Sequence, residues 1–278
     1  GVCFCQIPTC GRSQQAGSWH DPGMIAISAD NPARARDLQQ LTGLPLLSEI
    51  GAASYLLHAG STRIEMRSLE EPRTAPLYVD FVGGANRHRR LYGGGRGQAI
   101  AQAVGLKKLR KPRVADLTAG LGRDAFALAA LGCDVTLVER SPVVHVLLQD
   151  GLNRALQSDD VNLREIVSRM RLVHADSLEW LDSQEETFDV ITLDPMFPER
   201  RKSALARKEM RFFHDLVGSD SDAAGLLELA RSQCRHRVVV KRPARAIALG
   251  GHAPSFSIAG KSTRFDIYLA AMQQPVER

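Results

Sequence analysis

The chain has 278 residues, 44% of them hydrophobic and 24% charged, enough apolar material for one large domain or for a standard domain with a small companion. A net charge of +5 is a modest basic excess, so the grouping of the cations matters more than their number. No apolar run reaches the roughly 18 residues a membrane helix needs; the best, residues 125–138, is cut by Asp134, and no basic segment leads into an apolar stretch at the N-terminus, so neither a membrane span nor a signal peptide is expected.

Five cysteines, an odd count without disulfide-rich spacing, suit a reducing cytoplasm. Cys3, Cys5 and Cys10 lack a clear fourth ligand and the histidines show no metal spacing, so no metal is expected. Cys133 and Cys234 read as small apolar residues beside strands.

Taken in chain order, residues 24–29, 55–59 and 62–67 read as short strands, the last by its alternation. Asn31 and Pro32 open a helix that runs to about Leu41, with Asn as cap and Pro in the first turn. Gly60-Ser61 is a hairpin turn. These elements define a small N-terminal α/β domain, residues 1–75, that carries no recognisable chemistry. Residues 76–278 form the second domain. There, residues 114–117, 135–139, 172–175, 190–193 and 238–241 are short, mostly β-branched apolar runs, each followed by a turn and a helical or mixed segment. That alternation calls for a mainly parallel sheet covered on both faces. Residues 255–259 and 264–270 are joined by Gly260-Lys261-Ser262-Thr263 as a hairpin. A parallel sheet that closes with an antiparallel hairpin departs from the dinucleotide-binding pattern and matches the Rossmann-like class I methyltransferase variant of the doubly wound fold.

The chemistry is expected at the carboxyl ends of these strands. Asp116 ends the first of them, and Gly120, Gly122, Arg123 and Asp124 follow in a turn that opens a helix. The glycines let the turn be tight and let a ligand approach the backbone, and the helix start offers free N–H groups. Gly120, Gly122 and Ala125 also satisfy the nicotinamide dinucleotide fingerprint, so the loop alone does not choose a cofactor. Glu139, at the end of the next strand, is placed to accept hydrogen bonds from ribose hydroxyls, which suits NAD and S-adenosylmethionine equally. Asp194-Pro195-Met196-Phe197-Pro198 separates the two, because it resembles the Asp/Asn-Pro-Pro-aromatic motif of amino methyltransferases, with Met196 in place of the second proline. Asp194 can accept the N–H groups of an exocyclic amine while the proline-stiffened turn holds it. Phe197 can stack on a flipped base. Methyl transfer from a sulfonium needs alignment rather than a nucleophilic residue, and no convincing Ser/His/Asp or Cys/His arrangement is present.

Two basic stretches are candidates for phosphate contacts. Arg87, Arg89, Arg90 and Arg96 precede the sheet, interleaved with three consecutive glycines. Arg200, Arg201, Lys202, Arg207 and Lys208 directly follow the Asp194 motif. A charge run is usually a solvated face, but one beside a target pocket is better placed to bind a nucleic-acid backbone. Lys241 and Arg242, at the end of a later strand, are read as part of the same rim.

Val79-Asp80-Phe81-Val82-Gly83-Gly84, His88 to Arg90 with Gly93 to Gly97, the loop from Asp116 to Asp124, Asp194 to Pro198, Val238 to Pro243 and Arg264 to Tyr268 together resemble the bacterial ribosomal RNA small subunit methyltransferase J family over about residues 75 to 270. The resemblance implies S-adenosylmethionine-dependent formation of N2-methylguanosine in 16S ribosomal RNA, within the small subunit or an assembly intermediate. It also implies cofactor contacts at Arg123, Asp124, Glu139, Arg140, Asp176, Ser177 and Asp194. Two other readings stay open at this point: an NAD-dependent oxidoreductase, for which no separate catalytic domain remains, and a non-catalytic RNA-binding protein on a methyltransferase fold.

Overall fold

The computed structural model describes residues 25–50, 52–83, 95–195, 222–260 and 262–270. Its first unit is a three-stranded sheet in which β1 (Ile25–Ala29) runs parallel to β2 (Tyr55–Ala59), and β3 (Ile64–Ser68) returns antiparallel. Between β1 and β2, α1 (Pro32–Thr42) starts where the sequence places it. The Asn31 side chain accepts from the Ala33 N–H at 2.8 Å, Pro32 sits in the first turn, and Gly43 closes the helix in the left-handed region. The hairpin at Gly60 also forms, its N–H donating to the Arg63 carbonyl at 3.0 Å. That turn takes up residues 60–63, so β3 begins two residues later than the alternation suggested.

The second unit is a seven-stranded sheet. Its strands are β4 (Arg113–Asp116), β5 (Asp134–Glu139), β6 (Met170–His174), β7 (Phe188–Leu193), β8 (Cys234–Pro243), β9 (Phe256–Ala259) and β10 (Thr263–Leu269). They lie in the order β6-β5-β4-β7-β8-β10-β9; the first five are parallel, and β10 is antiparallel to both of its neighbours. The expected terminal hairpin is present, with Gly260 N–H donating to the Thr263 carbonyl at 2.8 Å. Its second strand inserts between β8 and the first. This is the strand order of a Rossmann-like class I methyltransferase sheet. The chain steps outward from β4 through β5 to β6, then crosses back to β7 and β8, so a crevice opens at the carboxyl ends of β4 and β7.

Side-chain parity explains how both faces are covered. Val114 and Val239 point into one apolar core, whereas their neighbours Ala115, Val238 and Val240 point into the other. The first core holds α2 (Ala99–Val104), α3 (Arg123–Ala130), α4 (Pro142–Leu156) and α5 (Val161–Val167); the second holds α6 (Ser177–Asp182) and α7 (Ala223–Gln233).

The N-terminal sheet packs on the first face, with α1 and β3 against α4. Ile27, Leu57 and Met66 share a continuous core with Val79, Phe81 and Leu147, so apolar packing runs unbroken across the division expected near residue 75. Gly151, inside α4, makes this close approach possible, because a Cβ there would lie 2.5 Å from Val79 Cγ1. One turn on, Arg154 holds the same segment by donating to the Val79 carbonyl and to Asp150. Among the described residues no helix is long and apolar enough to cross a membrane.

Candidate active site

A cleft of about 370 Å³ opens at the switch point, within the size range of small-molecule sites. One wall is the turn between β4 and α3. It is pinned to both neighbouring strands: Leu117 N–H donates to the Thr192 carbonyl at 3.0 Å, and Ala119 N–H to the Val138 carbonyl at 3.2 Å. Gly122 ends the turn at φ 68°, where a side chain would be strained. A Cβ there would also lie 2.8 Å from Leu148 Cδ1, so that leucine would have to shift to admit one.

Glu139, only 5% exposed at the end of β5, braces this turn. One carboxylate oxygen accepts from Gly120 N–H at 2.9 Å and the other from Ser141 N–H at 2.8 Å. The side chain is thereby fixed as an acceptor at the edge of the cleft. At the end of β6, Asp176 caps α6 by accepting from Leu178 N–H at 2.9 Å. The buried Ser177 hydroxyl donates to the Leu117 carbonyl at 2.6 Å, tying this corner to the turn. Arg140 reaches Asp222, before α7, at 3.4 Å.

The opposite wall gathers charge. Asp194 follows β7, and its N–H donates to the Thr118 hydroxyl at 2.6 Å, which couples the proline motif to the glycine turn. Lys241 Nζ, on β8, lies 2.8 Å from Asp194 Oδ2 and 2.8 Å from Asp124 Oδ2, at the start of α3. Asp116 stands behind them, 6% exposed, and its carboxyl is pushed up to about 7 by burial, with the Asp124 charge adding to the effect. Lys241 is held above its ordinary range: burial works against its charge, but Asp194 and Asp124 outweigh it.

Among the described residues, the carboxyl groups of Asp116, Asp124 and Asp194 thus gather around the Lys241 ammonium. Such a wall is complementary to a ligand that carries a sulfonium and an α-ammonium, and it opposes the pyrophosphate of a dinucleotide. Acceptors for ribose hydroxyls at one end and an acidic wall at the other match the donor set of S-adenosylmethionine.

Asp116, Gly120, Arg123, Asp124, Glu139, Arg140, Asp176, Ser177, Asp194, Pro195 and Lys241 line this one cleft. Gly122 shapes it from beneath. Three cations assigned to an RNA-binding rim sit differently. Lys241 is inside the cleft, engaged by two aspartates. Arg242 is 3% exposed and donates to the Ile247 carbonyl, because strand parity turns it into the core shared with Val238 and Val240. Arg96 donates to the Leu106 carbonyl and lies near Cys133, at the amino end of β5, a strand length of roughly 20 Å from the cleft. Phe197, Arg87, Arg89, Arg90, Arg200, Arg201, Lys202, Arg207 and Lys208 lie outside the described residues, as do Cys3, Cys5 and Cys10.

Sequence reasoning gave no role to Thr118 or Asp222. Thr118 lies inside the loop motif, and a hydroxyl beside the glycines was the signal available for it. Asp222 sits far along the chain and left no local signal.

The SAM_MT family model, described as "Putative SAM-dependent methyltransferase", matches residues 40–270. A protein of Aeromonas hydrophila named ribosomal RNA small subunit methyltransferase J is 51% identical over 249 residues, which is 89% of this chain and 98% of that protein. One of the same name from Yersinia pestis is 49% identical over 257 residues, covering 92% and 94%. A crystal structure of an SAM-dependent methyltransferase from Neisseria gonorrhoeae is 35% identical, covers 91% of this chain and 99% of its own, and superposes with a TM-score of 0.70. With its loop, proline motif and strand order accounted for, the chain belongs to the ribosomal RNA small subunit methyltransferase J family.

Proposed function

We propose that this chain transfers the methyl group of S-adenosylmethionine to the exocyclic N2 amine of a guanosine in 16S ribosomal RNA, in the cytoplasm, on a small subunit or an assembly intermediate. The observation that carries the reading is Asp194. Its backbone N–H is held by the Thr118 hydroxyl and its carboxylate by Lys241, in the same cleft as the glycine turn, in a chain about half identical to relatives named for ribosomal RNA methylation.

The cofactor supplies an electrophilic methyl on a good leaving group. The protein's own work is alignment and exclusion of water. With the cofactor bound, Glu139 would accept from its ribose hydroxyls, Asp176 and Ser177 would serve the adenine side, and Asp116, Asp124, Arg123, Arg140 and the N–H groups from Gly120 onward would hold the remainder. Asp194 accepts N–H from the guanine amine, so that the nitrogen lone pair is turned toward the methyl group. Pro195 limits the freedom of that turn, and Phe197 stacks on the extruded base. Arg87, Arg89, Arg90, Arg200, Arg201, Lys202, Arg207 and Lys208 bind phosphates; Arg96, Arg242 and Lys241 are left out of that set on the positions described above. Residues 76–278 carry the chemistry, and residues 1–75 form an accessory unit that positions the RNA.

Comparing thermal stabilisation by S-adenosylhomocysteine and by NADH tests the cofactor, since only the true ligand raises the midpoint. Asp194→Ala tests the acceptor. It is expected to keep S-adenosylhomocysteine binding and lose most methyl transfer, and a near-wild-type rate would remove the role assigned to Asp194. Cofactor binding by the wild type with no turnover on subunits, naked RNA or intermediates would favour the non-catalytic reading.

A further inference from the structure

We propose that Lys241 is a positioning residue for methyl transfer, which holds Asp194 ionised and oriented by tying it to Asp124 at the start of α3. The inference rests on the acceptor role given to Asp194 above and adds the means by which that role is sustained.

Lys241 is delivered by strand parity. Two residues beyond Val239, it emerges on the same face of β8 at the strand's carboxyl end, and α3 covers that face. Its Nζ reaches Oδ2 of Asp194 and Oδ2 of Asp124 at 2.8 Å each, with the three side chains 28%, 50% and 24% exposed. The two aspartates come from positions 47 and 117 residues away, on the acceptor turn and on the helix that opens after the glycine loop. One ammonium therefore joins the target side of the cleft to the cofactor side.

The need for it is electrostatic. A guanine amine is a poor nucleophile because its lone pair is delocalised into the ring, and an anionic acceptor for its N–H groups is the help a carboxylate can give. A protonated Asp194 would present an O–H donor where an acceptor is needed. Among the described residues, Asp116 from the end of β4, Asp124 from α3 and Lys241 from β8 act on this wall, Arg123 and Arg140 line the same cleft, and Arg242 senses the Asp194 charge from the position after Lys241. Removing the Lys241 charge from between Asp194 and the neighbouring carboxyls of Asp116 and Asp124 would raise the proton affinity of Asp194. Arg242 cannot substitute, because it is 3% exposed and faces the other core. Asp116, whose carboxyl is already pushed up by burial and by Asp124, shows how little further negative charge this wall tolerates.

The test compares Lys241→Met, which keeps the stem and removes the charge, with Lys241→Arg, which keeps the charge. Methyl transfer to small subunits lacking the modification is measured from pH 6 to 9, beside S-adenosylhomocysteine binding by calorimetry. Lys241→Met is expected to lower kcat by about 100-fold, the size of effect that follows displacement of an aligned group. The acid limb of its pH profile moves to higher pH, and Lys241→Arg restores the limb and part of the rate. In an Asp194→Asn background, Lys241→Met should have little further effect on kcat, because the lysine acts through that carboxylate. Wild-type kcat and an unmoved acid limb in Lys241→Met would overturn the proposal. So would equal losses of rate, cofactor affinity and melting temperature in both Lys241 variants, or a full additional loss in the Asp194→Asn background. A wild-type protein that methylates no guanosine would instead overturn the acceptor reading itself, so the two failures are distinguishable.

Discussion

Replacing Asp116 by Asn should make the protein more stable, and more so as the pH rises. The carboxyl is 6% exposed and its pKa is raised from 3.8 to about 7, first by burial and then by the charge of Asp124. Below pH 3.8 the group is protonated in both folded and unfolded chains and costs nothing. Between 3.8 and about 7 the unfolded chain has lost its proton while the folded chain keeps it, so the folded state loses ground with every unit of pH; above about 7 the penalty is constant. At about 1.4 kcal/mol per unit, the deficit is about 2 kcal/mol at pH 5 and about 4 kcal/mol at pH 8. Asn does not titrate, and its carbonyl can still accept the Thr118 N–H that Asp116 Oδ1 takes at 3.3 Å. Thermal melts without ligand should therefore show Asp116→Asn above wild type by several degrees at pH 8 and by clearly less at pH 5. The variant should also bind S-adenosylmethionine more weakly, since it removes negative charge from the wall that faces a ligand carrying a sulfonium and an α-ammonium. An identical offset at both pH values, or a variant less stable at pH 8, would refute the reasoning.

Alanine inside a helix usually stabilises relative to glycine, but Gly151→Ala should destabilise by about 1–3 kcal/mol in urea titration, because the new Cβ meets Val79 Cγ1 at 2.5 Å and cannot be accommodated without moving the segment against α4; a more stable variant would show that this contact is loose. Cys133 and Cys234 are buried, with thiols pushed up by burial to about 12 and about 11. Brief alkylation at pH 8 followed by peptide mapping should leave both unmodified in the native protein, and rapid labelling of either would contradict their place in the two cores. Neutralising Arg200, Arg201 and Lys202 together should weaken RNA binding and flatten its dependence on salt. An unchanged salt slope would remove that stretch from the phosphate contacts.

What the sequence disclosed was whatever is governed by neighbours along the chain. The Asn31 cap, the turns at Gly60 and Gly260, and the strands β4 to β7 each form within a residue or two of where local pattern puts them, because capping, turn formation and strand parity act over a few positions, whereas β8 begins four residues before the apolar run at 238–241. The cleft was legible for the same reason: Asp116, Glu139 and Asp194 all end parallel strands, and parallel strands bring their carboxyl ends together; Asp176 was implied only by the family resemblance. The surroundings of three cations show the limit. Lys241 and Arg242 are adjacent, and their charge alone suggested a common rim, yet alternation turns one into the cleft and the other into the core behind Val238 and Val240. That parity could have been read from the three preceding valines. The partners of Lys241 could not, since they depend on contacts spanning 47 and 117 residues. Arg96 needed knowledge of which end of the sheet its segment returns to, and nothing local carries that. The insertion of β10 between β8 and β9 is likewise a fact of sheet assembly; the hairpin itself is local, but its place in the order is not.

The most direct test of the account is to supply labelled S-adenosylmethionine to small ribosomal subunits that lack the modification, digest the RNA and identify the labelled nucleoside by mass spectrometry. The account predicts label in N2-methylguanosine, abolished in Asp194→Ala while S-adenosylhomocysteine binding survives. Label in a different nucleoside, or in N2-methylguanosine at an unreduced rate without Asp194, would contradict it.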